Sequence, residues 1–116
     1  MIACLRTVRV PAETRAQYLE WIADGRGVRE AHGIVGELVF EPTSGEGDTV
    51  VLTLWPRHEV FDAWIATPER DALTTSDVHQ AVDYEPITRY EIAGGYLNVA
   101  GLARHDPTPP PQERRS

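Results

Sequence analysis

A histidine about two thirds of the way along the chain is the residue best suited to move a proton. His79 lies in a stretch, 78–86, that we expect to form a loop before the last strand, near the mouth of any pocket between sheet and helices. An imidazole with an ordinary pKa of about 6.5 can accept a proton near neutral pH. His79 is therefore the preferred general base, and a solvated position on a surface loop is its alternative role.

Arginines inside strands are the second chemical signal. Arg6 shares one face of a predicted strand with Ile2, Cys4 and Val8, and an arginine on an apolar face is rarely buried without a partner. It would either form a salt bridge between the sheets of a dimer or extend its charge past a sheet edge, or it would hold an anion such as a phenolate. Arg89, in the last predicted strand, has the same alternatives.

Aromatic side chains could form the wall of a binding pocket. Trp55 ends an apolar run at the point where the hydrophobic period changes from strand to helix, and Phe61 and Trp64 lie on the apolar stripe of that helix. Thr53 shares the strand face of Trp55 and adds one hydroxyl group. Packing in the core is the alternative role for both tryptophans.

The candidate site residues divide into two groups. The catalytic candidates are His79, Arg6 and Trp55, and the substrate-binding candidates are Thr53, Phe61, Trp64, Tyr84, Arg89 and Tyr90. The histidines are scattered, with no pair at the spacing of metal ligands, so we expect no metal site. The sequence shows no glycine-rich phosphate loop or nucleophilic triad, and Cys4 is expected to be a small core residue.

Composition narrows the class of protein. A chain of 116 residues forms one domain with a modest core. Its net charge of −7, with no basic stripe, argues against nucleic acid and against an anionic membrane surface as partners. We expect no membrane-spanning segment and no signal peptide, because no apolar run is long enough for either. A single cysteine cannot form an internal disulfide, which favours a cytoplasmic location.

The hydrophobic pattern predicts alternating strands and helices. The strands are Ile2–Val10, Ile34–Glu41, Val50–Trp55 and Ile87–Gly94, the last continuing weakly through Tyr96–Leu102. One helix opens at Pro11, bends at Gly25 and Gly27 and resumes through Val28–Ala31; the others are Arg57–Ala66 and, after a Thr67 cap, Glu69–Asp77. Residues 1–102 are therefore the folded domain, and the proline-rich residues 103–116 are expected to be a disordered tail.

The order of these elements predicts a fold. Strand, helix, strand, strand, helix, strand is the ferredoxin-like, split βαβ pattern, an α+β fold with an antiparallel sheet and the helices on one face. The strand Val50–Trp55 is apolar on both faces, so the open face of the sheet must also be covered. A second copy of the sheet is the simplest cover, which predicts a homodimer.

Four stretches of the sequence resemble the antibiotic biosynthesis monooxygenase family. They are AHGIVG at 31–36, LTLW at 52–55, EVFDAW at 59–64 and TRYEI at 88–92, and the similarity extends over residues 2–96. The family consists of dimeric α+β barrel proteins, so the resemblance implies a homodimer with a pocket between sheet and helices in each subunit. Its anthrone-oxidising members convert electron-rich polyketide phenols to quinones with molecular oxygen and no bound cofactor.

The resemblance also assigns individual positions. Trp55 matches the strand-end tryptophan of the anthrone-oxidising members, whereas Val51 and Phe61 stand where those enzymes have an asparagine and a tyrosine. Trp64 matches a tryptophan of the haem-degrading members, whereas Thr74 stands where those proteins have the histidine that ligates iron. The resemblance therefore does not imply haem degradation for this chain.

Three functional hypotheses follow. The first is a homodimeric, cofactor-independent monooxygenase that oxidises a phenolic or polycyclic, polyketide-like intermediate with O2 to a quinone. The second is a polyketide cyclase or isomerase that uses the same pocket and base without oxygen. The third is a non-catalytic accessory dimer that binds small molecules. The enzyme hypotheses require at least two convergent polar groups in a pocket, whereas the accessory hypothesis requires a filled core.

Overall fold

The structure is a computed structural model and describes residues 1–96. Its strands are β1 (Ile2–Arg9), β2 (Gly36–Phe40), β3 (Thr49–Trp55), β4 (Asp83–Tyr84) and β5 (Thr88–Glu91). Its helices are α1 (Arg15–Asp24), α2 (Arg26–Ala31), α3 (His58–Ile65), α4 (Pro68–Thr74) and α5 (Asp77–Gln80), with a 3-10 turn at Ala12–Thr14. The predicted strand continuation beyond Tyr96, the domain boundary at 102 and the predicted tail 103–116 lie outside the described residues.

The strands form one antiparallel sheet that confirms the predicted fold class. The order is β2-β3-β1, and β4 and β5 both pair with the free edge of β1. Taken together as one interrupted last strand, β4 and β5 complete the strand order of the ferredoxin-like fold. In the register of β1 and β3, Ile2 lies opposite Trp55 and Arg6 lies opposite Val51.

The break in the last strand corrects part of the sequence-based interpretation. The stretch predicted as a loop, 78–86, contains three of the four residues of α5 and the short strand β4. The Ser76 hydroxyl accepts a hydrogen bond from the backbone N–H of His79 at 3.2 Å and caps α5. His79 is therefore on a capped helix and not on a loop. Pro86 separates β4 from β5 because proline has no N–H to contribute to the ladder.

The predicted interruption of the first helix is confirmed at Gly25, whereas Gly27, which was predicted to share it, lies inside α2. Helix α1 ends at Asp24 and α2 begins at Arg26. A Cβ at position 25 would lie 2.6 Å from a terminal nitrogen of the Arg29 guanidinium, so a glycine is needed there to let this side chain pass. The predicted Thr67 cap is also confirmed, since its hydroxyl accepts from the backbone N–H of Arg70 at 3.2 Å.

Two groups of buried side chains lie between the sheet and the helices. The group around Trp55 has the buried members Ile2, Cys4, Trp55, Phe61 and Trp64. The group around Val8 has the buried members Val8, Tyr18, Ile22 and Val82. Alternate residues of β1 belong to these groups, so the face with Ile2, Cys4 and Val8 is the one that the helices cover. Arg6 lies on this face.

The opposite face of the sheet carries apolar side chains with no helix over them. The pairs Leu38–Leu52 and Phe40–Val50 lie on it, and Tyr90 extends from β5 on the same side. Phe40 is 48% exposed and Tyr90 is 53% exposed. Within residues 1–96, no helix has the length and hydrophobicity required to cross a bilayer.

Candidate functional site

A cavity of about 140 Å³ lies between the sheet and the helices and opens to solvent. The structure brings seven of the nine predicted site residues to its wall: Arg6, Thr53, Trp55, Phe61, Trp64, His79 and Tyr84. They come from β1, β3, α3, α5 and β4, so the cavity depends on the whole sheet and on both halves of the helical layer. The face of β1 that meets the cavity, which the sequence left open, is the face of Arg6.

Arg89 and Tyr90, which the sequence placed among the substrate contacts, lie elsewhere. The Arg89 guanidinium donates to the Asp62 carboxylate at 2.7 Å and lies 3.4 Å from Nδ1 of His58, whose Nε2 is 3.0 Å from Glu91. This network is on the protein surface and ties α3 to β5. Tyr90 lies on the open face of the sheet.

The apolar end of the cavity is an aromatic wall. The Trp55 ring is 5.3 Å from Phe61, edge to face, and 6.4 Å from Trp64, nearly parallel. Trp55 is 1% exposed, and its indole N–H donates to the Thr53 hydroxyl at 2.9 Å. Trp55 therefore packs in the core and lines the cavity at once, and the Thr53 hydroxyl already has a partner.

The polar end is built around the ring of Tyr84. The His79 imidazole stacks on it at 4.4 Å, and the Arg6 guanidinium lies 5.1 Å from its centre in a cation–π contact. Trp21 is 5.3 Å from the His79 ring. Burial raises the pKa of the phenols of Tyr18 and Tyr84, so both keep their protons at neutral pH and can donate hydrogen bonds.

The surroundings of His79 favour the neutral imidazole. Burial lowers its pKa most, and the positive charges of Arg6 and Arg70 lower it further. Its Nδ1 is buried and has no hydrogen-bond partner among the described residues. A neutral imidazole with a free nitrogen at a cavity wall is what proton abstraction requires.

The charges that line the cavity do not cancel. Glu37 is the single carboxylate at the wall among the described residues, and the Arg29 guanidinium lies 2.8 Å from it. Arg29 also donates to the Ile22 carbonyl at the end of α1. This buried pair is neutral as a unit, so Arg6 and Arg70 remain as uncompensated positive charges at the wall.

Tyr18, Trp21 and Arg70 are among the residues of the cavity wall that were not predicted as site residues. Tyr18 and Trp21 were assigned to the apolar stripe of the first helix, and that stripe turns out to face the cavity. Arg70 lies in the first turn of α4, where its type and position carry no sequence signal. No group of three or more histidine, cysteine or acidic side chains in residues 1–96 is arranged to hold a metal ion.

Solved structures with the same fold are similar to the chain over most of its length. A protein of Deinococcus radiodurans assigned as an antibiotic biosynthesis monooxygenase is 25% identical, with a TM-score of 0.65, covering 84% of this chain and 97% of the other. The cofactor-independent oxygenase SnoaB from Streptomyces nogalater is 16% identical, with a TM-score of 0.68, covering 84% and 96%. The haem degrader MhuD from Mycobacterium tuberculosis, with two haems in its active site, is 20% identical, with a TM-score of 0.66, covering 84% and 100%.

These similarities confirm the fold that the resemblance implied. No protein-family model matches the sequence, and no curated protein does. The chain has the fold of the antibiotic biosynthesis monooxygenases, whose structures include oxygenases that work without a cofactor and proteins that bind haem. Because one fold hosts several chemistries, the activity has to be argued from the cavity.

The cavity does not fit a haem. Thr74, which corresponds to the iron-ligating histidine of the haem-degrading members, lines the wall, and its hydroxyl donates to the Asp71 carbonyl at 3.0 Å. The His79 ring is held between Trp21 and Tyr84. No step of the chemistry proposed below uses haem.

The buried pair of Arg29 and Glu37 predicts a large effect on stability. Arg29→Met leaves the buried Glu37 carboxylate with only Arg26, 3.9 Å away, and the Ile22 carbonyl without its donor, so we expect a loss of about 3 kcal/mol in the free energy of unfolding. Arg15→Met is the matched control, because Arg15 and Glu41 are 3.8 Å apart and partly exposed, and it should cost at most about 1 kcal/mol. Urea denaturation measures both.

The double variant Arg29→Met, Glu37→Leu tests whether the lost stability comes from leaving one buried charge without its partner. Removing both charges should recover most of the lost stability, since no buried carboxylate is then left without its arginine. An Arg29→Met variant no less stable than Arg15→Met would show that this pair does not hold the helical layer against the sheet.

Proposed function

We propose that this protein is a cofactor-independent monooxygenase that oxidises a phenolic substrate with molecular oxygen. One observation carries the proposal: the imidazole of His79, whose Nδ1 is buried without a hydrogen-bond partner among the described residues, lines an aromatic-walled cavity beside the uncompensated guanidinium of Arg6. A base that is neutral at pH 7 and a cation next to it can together turn a phenol or its tautomer into a bound anion. The similar oxygenase structures support the choice of oxygen as the co-substrate.

The proposed reaction oxidises an activated CH2 of an anthrone-type phenol to a carbonyl group. His79 removes one proton, and Arg6 stabilises the resulting enolate. The enolate gives two electrons to O2, so that a carbon–oxygen bond forms, and the peroxide oxygen takes the proton back from His79. Removal of the second C–H proton breaks the O–O bond and releases water. One O2 thus supplies one oxygen atom to the quinone and one to water.

The aromatic wall would hold the ring that reacts. Trp55, Phe61 and Trp64 offer flat faces, and the buried phenol groups of Tyr18 and Tyr84 can donate hydrogen bonds to a developing anion. A cavity of about 150 Å³ holds one benzene molecule, and this cavity has a similar volume. One ring of a polycyclic substrate would therefore enter while the rest extends through the opening.

The proposal includes a homodimer in the cytoplasm. The open face of the sheet carries the leucine pair Leu38–Leu52 and the half-exposed ring of Phe40, and a second sheet would cover them. The location rests on Cys4, which is buried and free.

A cofactor-free cyclase or isomerase is the second candidate. Val51 and Phe61 line the cavity at the positions where the anthrone-oxidising members have an asparagine and a tyrosine, so two polar groups of that chemistry are replaced by apolar ones. A cyclase or isomerase needs only the base and the anion-stabilising cation. A purely accessory role is less well supported, because Arg6, His79 and Tyr84 converge on an open cavity instead of a filled core.

Oxygen consumption tests the first candidate. Wild-type protein should consume O2 with a dihydroxyanthrone in metal-chelated buffer, and His79→Ala should lower the rate by about 100-fold or more, the usual contribution of a general base. Trp55→Phe should lower it less, because the wall is retained. His58→Ala is the matched control and should keep the wild-type rate, since His58 lies on the surface outside the cavity.

The outcomes separate the candidates. Uptake that survives chelation and depends on His79 supports the oxygenase. Binding of the phenol without uptake would favour the cyclase or isomerase, and neither binding nor uptake would contradict both enzyme proposals for this substrate class.

The rate should fall on the acid side below the ordinary histidine pKa of about 6.5. Burial, Arg6 and Arg70 each disfavour the imidazolium, so the base form persists to lower pH than in a solvated histidine. Arg70→Gln removes one of the two positive charges, so the midpoint of the acid limb in a profile of kcat against pH should move to higher pH. An unchanged or lower midpoint would show that His79 is not the group that titrates.

The dimer is tested on the open face of the sheet. Leu52→Glu places a charge opposite Leu5 and Leu38 in the proposed interface, and we expect sedimentation equilibrium to show a monomer. Ala16→Glu, at an exposed position on α1, is the control and should leave the mass of the wild-type species unchanged. A wild-type protein that is monomeric, or a Leu52→Glu variant that stays dimeric, would contradict the proposed interface.

A further inference from the structure

The arginines of this protein divide into two sets. Residues 1–96 contain eight arginines and no lysine, and six of the eight lie within 4.0 Å of a carboxylate. The two without such a partner among the described residues are Arg6 and Arg70, and both line the same cavity. A chain with 18 acidic residues has carboxylates to spare for them. The absence of a partner at these two positions therefore follows from where they lie.

The cavity keeps these two charges apart from the protein's own acids. The Arg6 Nε is buried without a hydrogen-bond partner, and the one described carboxylate at the wall, Glu37, is occupied by Arg29. Two guanidinium groups at one cavity repel each other, which is an unfavourable arrangement unless an anion binds between them. Burial lowers the pKa of Arg6 most, and the charge of Arg70 at the same cavity lowers it further.

We infer that Arg6 and Arg70 bind a carboxylate group on the substrate, so that the preferred substrate is an aromatic hydroxy acid and not a neutral phenol. A guanidinium matches a carboxylate with two parallel hydrogen bonds, and a partly desolvated site strengthens them. Arg6 and His79 both contact the Tyr84 ring, so a carboxylate on Arg6 brings the rest of the ring beside the base. The reaction of this substrate rests on the proposed function, whereas its binding does not.

A carboxylate fits this site better than a phosphate does. The remaining wall is mainly aromatic and aliphatic, and the volume is about 140 Å³. A dianionic phosphate with three acceptor oxygens would lose hydration that two guanidinium groups and two phenols replace only in part. Carboxylate recognition thus requires only the groups that the wall supplies.

Calorimetric titration with a matched pair of ligands tests the inference. The probes are 2-hydroxybenzoate and 2-hydroxybenzamide, which have the same ring and hydroxyl group and differ in charge. Wild-type protein should bind the acid about ten-fold or more tightly than the amide, as expected for hydrogen bonds to a charged group. Arg70→Gln and Arg6→Gln should each remove most of this preference and leave amide binding within about two-fold, since they remove the charge and keep the wall.

Two further variants control for folding and for general electrostatics. Arg57→Gln removes an exposed arginine that pairs with Glu59 outside the cavity, and it should bind both probes as the wild type does. Arg6→Lys keeps the charge within the strand and should retain part of the preference if Arg6→Gln fails to fold, which circular dichroism reports.

The outcomes are decisive for the carboxylate. Equal affinity for acid and amide, or binding of neither, would overturn the inference, and tighter binding of phenyl phosphate than of 2-hydroxybenzoate would overturn the choice of carboxylate. A preserved preference for the acid in a protein that consumes no O2 with any phenol would end the proposed oxygenase function and leave this inference standing. Uptake of O2 with neutral phenols and no preference for acids would support the oxygenase function and overturn the carboxylate inference.

Discussion

The pairing of β1 with β3 determines which side chains of the two central strands face the cavity. Seven consecutive residue pairs join the two strands, and alternate side chains point to opposite faces. A shift of one residue would move the side chains of Cys4 and Arg6 to the open face and the side chain of Leu5 to the face that the helices cover. The register is held because each face has its own apolar partners: the buried groups around Trp55 and Val8 on one side, and the pairs Leu38–Leu52 and Phe40–Val50 on the other. The cavity exists as a consequence of this register.

The charge of the cavity is opposite in sign to the net charge of the chain. The protein has a net charge of −7, yet its cavity carries two uncompensated arginines beside an uncharged imidazole. The uncharged state of His79 and the lack of acidic partners for the two arginines are connected. Burial keeps His79 neutral, the nearby arginines add to this, and the same arginines are left available because Arg29 occupies the only described carboxylate at the wall. A base and an anion site can thus coexist without a salt bridge that would cancel them.

Much of the fold and part of the site could be predicted from periodicity and local signals. The change of period at Trp55, the glycine at position 25 and the Thr67 cap are local features, and each lies where it was expected. Contacts between elements that are distant in sequence could not be predicted from these local features. The salt bridge between Arg89 and Asp62 depends on a contact between α3 and β5, and the position of Arg70 depends on how α4 packs. Arg89 and Tyr90 are neighbours in one strand, so alternation alone excluded their sharing a cavity wall.

The interrupted last strand makes the two ends of the cavity unequal in local stability. β4 joins the sheet through only two residue pairs, Val8–Tyr84 and Arg9–Asp83, and Pro86 separates it from β5. Segments with few ladder hydrogen bonds open at a lower free energy than long central pairings do. The segment 77–84, which carries His79 and Tyr84, should therefore exchange its amide hydrogens faster than β1 and β3. His79 thus lies in a segment with few ladder pairs, while Trp55 of the aromatic wall belongs to the seven-pair ladder of β1 and β3.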